Sequence, residues 1–160
     1  MITGTLDEFP PSVNKLYKHF VMRKGGRQIV NRRLSSAAEK FKTRAGIALG
    51  RQWMFEDPLP QDKPLAANVV FYFPHLQNKG WPKHAKHRFK TQDVDNYLKL
   101  LLDVVKEAAG VDDNNIIDLH AIKREDEEHP RIEITLWELP DERYSEHYET
   151  GTAADSMEPA

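Results

Sequence analysis

The chain has 160 residues, 39% of them hydrophobic and 30% charged, with no cysteine and a net charge of −2. That length suits one domain with a real core; the missing cysteine excludes disulfides and thiolate metal sites, and no apolar stretch is long enough to span a bilayer. The small net charge hides a polarity: residues 1–90 hold 17 Lys+Arg against 6 Asp+Glu (+11) and residues 91–160 hold 6 against 19 (−13), and a basic half suggests an anionic partner such as nucleic acid.

In chain order, the opening MITGTLDEFPPS lacks the basic-then-apolar pattern of a secretory signal. With the cysteine-free composition, it points to a cytoplasmic protein and to no membrane partner. The ITGTL segment alternates like a strand and stops at Pro10-Pro11. HFVMRKGGRQIVN sets Gly25-Gly26 between two β-capable runs, which reads as a hairpin. Ser36-Ala37-Ala38-Glu39 has the form of a capping box. It should start a helix reaching about Trp53, with Ala37, Phe41, Ala45, Ala48 and Trp53 as its apolar stripe. LAANVVFYF, residues 65–73, is apolar enough for a central strand. After a long loop over 75–92, a second helix begins near Asp93 or Val94. Leu98, Leu101, Leu102, Val105, Ala108 and Ala109 lie on one side of it, and Gly110 is its stop. Residues 116–123 and 132–136 read as two further strands joined through a turn at His129-Pro130. The expected fold is α+β, a small mixed β-sheet with two main helices in a domain over 1–139. Residues 140–160 are polar and acidic and are expected to form a disordered tail.

The stretch TQDVDNYLKLLLDVVKEAAGVDDNN, residues 91–115, crowds carboxylates at both ends of the second helix. An Asp at a helix start has an ordinary use, accepting a bond from a free N–H and facing the positive dipole end. One such residue suffices, whereas an Asp-x-Asp pair can aim two oxygen donors together, as a hard divalent cation requires. Asp112-Asp113-Asn114-Asn115 is equally what a turn after Gly110 would use. Lys99 follows Asp95 by four residues. It is either half of a surface pair worth about 0.3–0.5 kcal/mol or a fixed cation facing a phosphate. Asp103, four residues further on, offers Lys99 another surface partner.

The loop 75–92 carries Lys79, Lys83, Lys86, Arg88 and Lys90, interleaved with Trp81, His84, His87 and Phe89. It is either a solvated loop or a grip on phosphates, with Trp81 or Phe89 able to stack on an unpaired base. Arg32 and Arg33 belong to a second basic patch in the hairpin, with Arg23, Lys24 and Arg27.

Taken together, DVDNYLKLLLDVVKEAAGVDDNNIIDLHAIK, preceded by PPSVNKLY after the first strand, resembles the RusA family of Holliday junction resolvases from about Pro10 to Leu136. The resemblance implies a RusA-like intertwined homodimer of bacterial or phage origin. Its activity would be Mg²⁺-dependent endodeoxyribonuclease cleavage (Mn²⁺ as a substitute ion), nicking two strands symmetrically at four-way junction DNA in recombination and repair. By match to the family motif, Asp93, Asp95 and Asp113 are expected to hold the metal and Lys99 to be the catalytic cation, with Asn96 and Asp112 in support. Lys79, Trp81, Lys83, Lys86, Arg88, Lys90, Arg32 and Arg33 are expected to contact DNA. The chain departs from the family pattern in its longer loop before Asp93, which holds Trp81, and in its acidic tail.

Two other functions fit parts of the sequence. A non-catalytic branched-DNA-binding protein would bind without cleaving. A nucleotide pyrophosphohydrolase also gathers acids on helices around Mg²⁺, but needs no extended basic surface. For a nuclease there is one geometric difficulty, because a helix over 95–109 sets its ends about 20 Å apart. Asp113 then meets Asp93 and Asp95 only if the chain doubles back or two helices lie antiparallel across a two-fold axis. The second arrangement, with sites at the subunit interface, is the expectation.

Overall fold

The computed structural model describes residues 1–12, 15–90 and 94–140. Asp93 and the expected tail beyond Pro140 lie outside the described residues. The elements are β1 (Ile2–Leu6), β2 (Tyr17–Lys24), β3 (Arg27–Leu34), α1 (Ser36–Trp53), β4 (Leu65–Phe73), α2 (Asp95–Ala109), β5 (Ile116–Glu125) and β6 (Arg131–Glu138), with a short 3₁₀ turn over Asp113–Asn115 before β5. Their order is the one expected from the sequence.

Four strands form a mixed sheet in the order β1-β6-β4-β5. The apolar run of β4 is central, antiparallel to β6 and parallel to β5. A parallel neighbour demands a crossover, and α2 supplies it. The helix therefore starts at the carboxyl end of β4 and finishes at the amino end of β5. Leu65, Ala67, Val69, Phe71 and Phe73 alternate along β4 into one core with Ile132, Ile134 and Leu136 of β6. Phe41, Ala45, Leu49 and Trp53 of α1 and Leu100, Leu101, Val104 and Val105 of α2 close the same core. Each large apolar side chain buried there contributes about 1.5–3 kcal/mol.

The helices sit in slightly different registers from those read in the sequence. Ser35, not Ser36, caps α1, its hydroxyl accepting from Ala38 N at 3.2 Å. The buried stripe becomes Ala38, Phe41, Ala45, Leu49 and Trp53, while Ala37 is exposed and Ala48 half-buried. In α2 the buried positions are Leu100, Leu101, Val104 and Val105; Leu98, Ala108 and Ala109 pack only at its border. In α2 Leu and Val win the core over Ala because they bury more apolar area, whereas α1 buries Ala38 and Ala45 beside Phe41, Leu49 and Trp53.

The two sheet edges differ. On β1, Trp53 Nε1 donates to Thr3 O at 2.7 Å and Gln52 bonds both Thr5 N and Thr5 O at 2.8 Å. Side chains of α1 thus cover that edge. Among the described residues, β5 pairs on one side only, and it exposes Ile117, Leu119 and Ile122. The β2–β3 hairpin is a separate two-stranded ribbon with Phe20, Val21, Met22, Ile29 and Val30 exposed. Its base is anchored through buried Leu16 and the Ser35 N bond to Leu16 O.

Candidate active site

The carboxyl end of β4 is aromatic. Phe71 and Phe73 stack with Phe9, and the Tyr97 ring lies about 6 Å from each of the three. This cluster seats the first turn of α2. Asp95 is the first helical residue, exposed, and joined to no described residue by a hydrogen bond or ion pair. The cap position belongs to Val94, which has no capping side chain. Asp95 is therefore not spent on capping, although the helix dipole still favours its charge.

Lys99 lies one turn further along the same side. No ion pair joins it to Asp95 or Asp103. Its ammonium instead sits 5.8 Å from the centroid of the Tyr17 ring, within cation–π range. The Arg32 guanidinium lies over the same ring at 3.7 Å. Tyr17 thus gathers one cation from α2 and one from the hairpin. Sequence reading missed Tyr17; the only signal was its place within PPSVNKLY.

At the far end of α2, Gly110 is left-handed (φ 66°) and its N–H bonds Lys106 O. Asp112 accepts from Asn114 N at 2.9 Å, the turn role foreseen for this segment. Asn115 donates to Gln61 O at 2.5 Å, and Gln61 bonds Gly110 O in return, which ties the turn to the loop before β4. Asp113 is exposed and lies 3.5 Å from the Lys106 ammonium. The Asp112 side chain and then the Lys106 charge hold its carboxyl below the usual carboxylate range, so it stays ionised at neutral pH. Asp103 also pairs with Lys106, at 3.8 Å, rather than with Lys99 as the sequence allowed.

Asp95 and Asp113 therefore flank a 15-residue helix whose ends are about 20 Å apart by helical rise. Among the described residues, no three His, Asp or Glu side chains come together as a metal cluster. One of the three acids of the motif, Asp93, is not among them.

The basic loop is an ordered structure. Gln77 and Phe89 form an antiparallel bridge, flanked by Asn78 N to Arg88 O and Lys90 N to Leu76 O, both 2.8 Å. Leu76 N donates to the Glu125 carboxylate at 2.8 Å, which pins the loop to the end of β5. Lys79, Lys83, Lys86 and Arg88 are exposed along it, as is Trp81; Lys90 is half-buried. Arg32 and Arg33 are adjacent on β3 and so face opposite sides of the hairpin.

An acid and a lysine at one helix end, a second acid pair at the other and an ordered cationic loop agree with one family model. The model for endodeoxyribonuclease RusA matches residues 8–137. The chain belongs to the RusA family. It is a Holliday junction endodeoxyribonuclease of recombination and repair, and nucleases of the RusA family generally depend on a metal ion. No curated protein gives a significant match. No helix among the described residues is long and apolar enough to cross a membrane. The RusA match covers both ends of α2 and the whole basic loop, so each of these features belongs to the nuclease domain itself.

Proposed function

We propose that this RusA-family nuclease acts as a homodimer, with each active site assembled from both subunits. Asp93 and Asp95 at the start of one α2 would meet Asp113 at the end of the partner's α2. The supporting observation is the placement of Asp95 and Asp113 at opposite ends of one helix that leads into a parallel strand. Two such helices lying antiparallel across a two-fold axis bring unlike ends together twice, which gives two sites and a symmetric pair of nicks. The bare β5 edge with Ile117, Leu119 and Ile122, and the apolar hairpin, offer surface for the second copy.

Exposed carboxylates fit a hard cation, and the site is assigned to Mg²⁺, with Mn²⁺ able to substitute. Asp93, Asp95 and Asp113 would hold it; when bound, such an ion stabilises phosphate charge and lowers the pKa of bound water. Lys99, held on Tyr17 and not neutralised by Asp95, places a positive charge where the phosphate gains negative charge. Lys79, Lys83, Lys86, Arg88 and Lys90 on the loop, with Arg32 and Arg33 on the two sides of the hairpin, would bind backbone phosphates and fix the register of the DNA.

The test mixes two inactive variants. Asp95→Asn and Asp113→Asn proteins are refolded or co-expressed together and assayed on a four-way junction with Mg²⁺. A shared site predicts that each mixed dimer regains one intact centre and makes single nicks. Sites confined to one subunit predict no recovery, and that result would refute the arrangement.

A further inference from the structure

We propose that Trp81 and Phe89, with the Arg88 guanidinium between them in sequence and in reach of both, form a stacking platform for a nucleobase left unstacked at a branch point. The platform makes the long loop a reader of branched over continuous duplex DNA. The inference rests on the nuclease reading above and adds a source of its substrate choice.

Trp81 and Phe89 are 46% and 57% exposed, so neither ring serves the core. The Arg88 guanidinium carbon lies 5.6 Å from the Trp81 ring centroid and 5.3 Å from that of Phe89. Arg88 is itself oriented by Gln77, whose side-chain oxygen accepts from its Nε at 3.4 Å. The backbone beneath the rings is set in advance. Asn78 Nδ2 donates to His87 O at 2.7 Å and to Phe89 O at 3.2 Å, and Trp81 N donates to Asn78 O at 3.0 Å. The Trp81 indole N–H bonds no described residue, so no internal hydrogen bond accounts for the ring. A merely structural tryptophan would be buried or hydrogen-bonded.

The surroundings favour a nucleic acid over an apolar partner. Residues 75–90 contain five Lys and Arg and no Asp or Glu, and Lys90 is only five residues from Asp95. A flat π-face beside cations suits a base whose backbone is held by those cations. In continuous duplex both faces of each base are already stacked, so the platform has nothing to take. At a branch point an unstacked base is accessible.

The experiment compares binding to a labelled four-way junction and to a duplex of the same arm sequence, in EDTA so that no strand is cut. Trp81→Ala and Phe89→Ala are expected to weaken junction binding by about 5- to 100-fold, with duplex binding and the salt slope unchanged. Trp81→Phe should retain the preference. Lys83→Ala, by contrast, should weaken both substrates and lower the salt slope by about one contact. In parallel, 2-aminopurine at the branch point should be quenched by the wild-type protein and not by Trp81→Ala. Equal losses on junction and duplex, or no loss on either, overturns the platform while junction cleavage by the wild type keeps the nuclease reading intact. A wild-type protein that binds junction and duplex equally also overturns the platform, whereas only the absence of metal-dependent junction cleavage would overturn the nuclease reading.

Discussion

Lys99 has two carboxylates within helical reach, Asp95 one turn before and Asp103 one turn after, and the structure gives it neither. Lys106 takes Asp103, and the Tyr17 ring takes Lys99. The energies are comparable, about 0.5–1 kcal/mol for an exposed cation–π contact against about 0.3–0.5 for an exposed helix pair, so geometry decides. Counting along one helix could not reveal this, because the competing ring comes from the start of a strand near the other end of the chain. If the ring is what positions the ammonium, Tyr17→Phe should cleave like wild type and Tyr17→Leu should lose kcat with KM unchanged. Lys99→Met is expected to lower kcat by about 10²–10³-fold while junction binding persists. Gel assays of single-turnover cleavage, paired with binding in EDTA, separate the two effects. Loss of binding in Lys99→Met would instead make it a grip on the backbone.

Among the elements, type and order were legible because each carries a strong local signal: the apolar run of β4, Gly25-Gly26 in the hairpin, and Gly110 closing α2. The registers of both helices were less so. Ser35 and Ser36 are equally good caps in sequence, and the choice falls on Ser35 because Leu49 rather than Ala48 must fill the core beneath β1. That packing is tight. A Cβ on Gly4 would meet Leu49 Cδ2 at 2.7 Å and the Trp53 ring at 3.0 Å, so α1 approaches the β1 backbone closely. Gly4→Ala should therefore cost about 1–3 kcal/mol through forced displacement of α1, read as a lower urea midpoint. An unchanged midpoint would mean that the helix gives way freely. The order of the loop over 75–90 was not legible either, since it arises from main-chain bonds and from Glu125, which its basic composition does not advertise.

For the molecule as a whole, the match to the RusA family and the chain order of the acids were readable from residue spacing, whereas the assembly of a site was not: one sequence fixes which side chains flank a helix, and spacing alone does not say how its two ends are brought together. The packed domain closes at Leu139, which is buried and bonds Pro64 O through its N–H at 2.8 Å. We propose that residues 1–139 carry the nuclease and that 140–160 acts only through charge. Residues 140–160 hold six acids and one arginine, so removing them takes the net charge from −2 to +3. The shortened protein should keep metal-dependent junction cleavage and bind DNA more tightly at low salt, with the gain fading as the Debye length shrinks. Fluorescence anisotropy across a salt series checks this, and a gain that survives high salt would point to direct competition for the DNA site.

The pairing of β1 with β6 sets Ile2 opposite Leu136, making the first and last strands hydrogen-bonded neighbours. On the ribosome, β1 must wait with its partner still unmade, and the sheet cannot shut until nearly the whole domain has emerged. A chain cut short before Arg131 therefore leaves β1 without its hydrogen-bonding partner, and the sheet loses the strand that links β1 to β4.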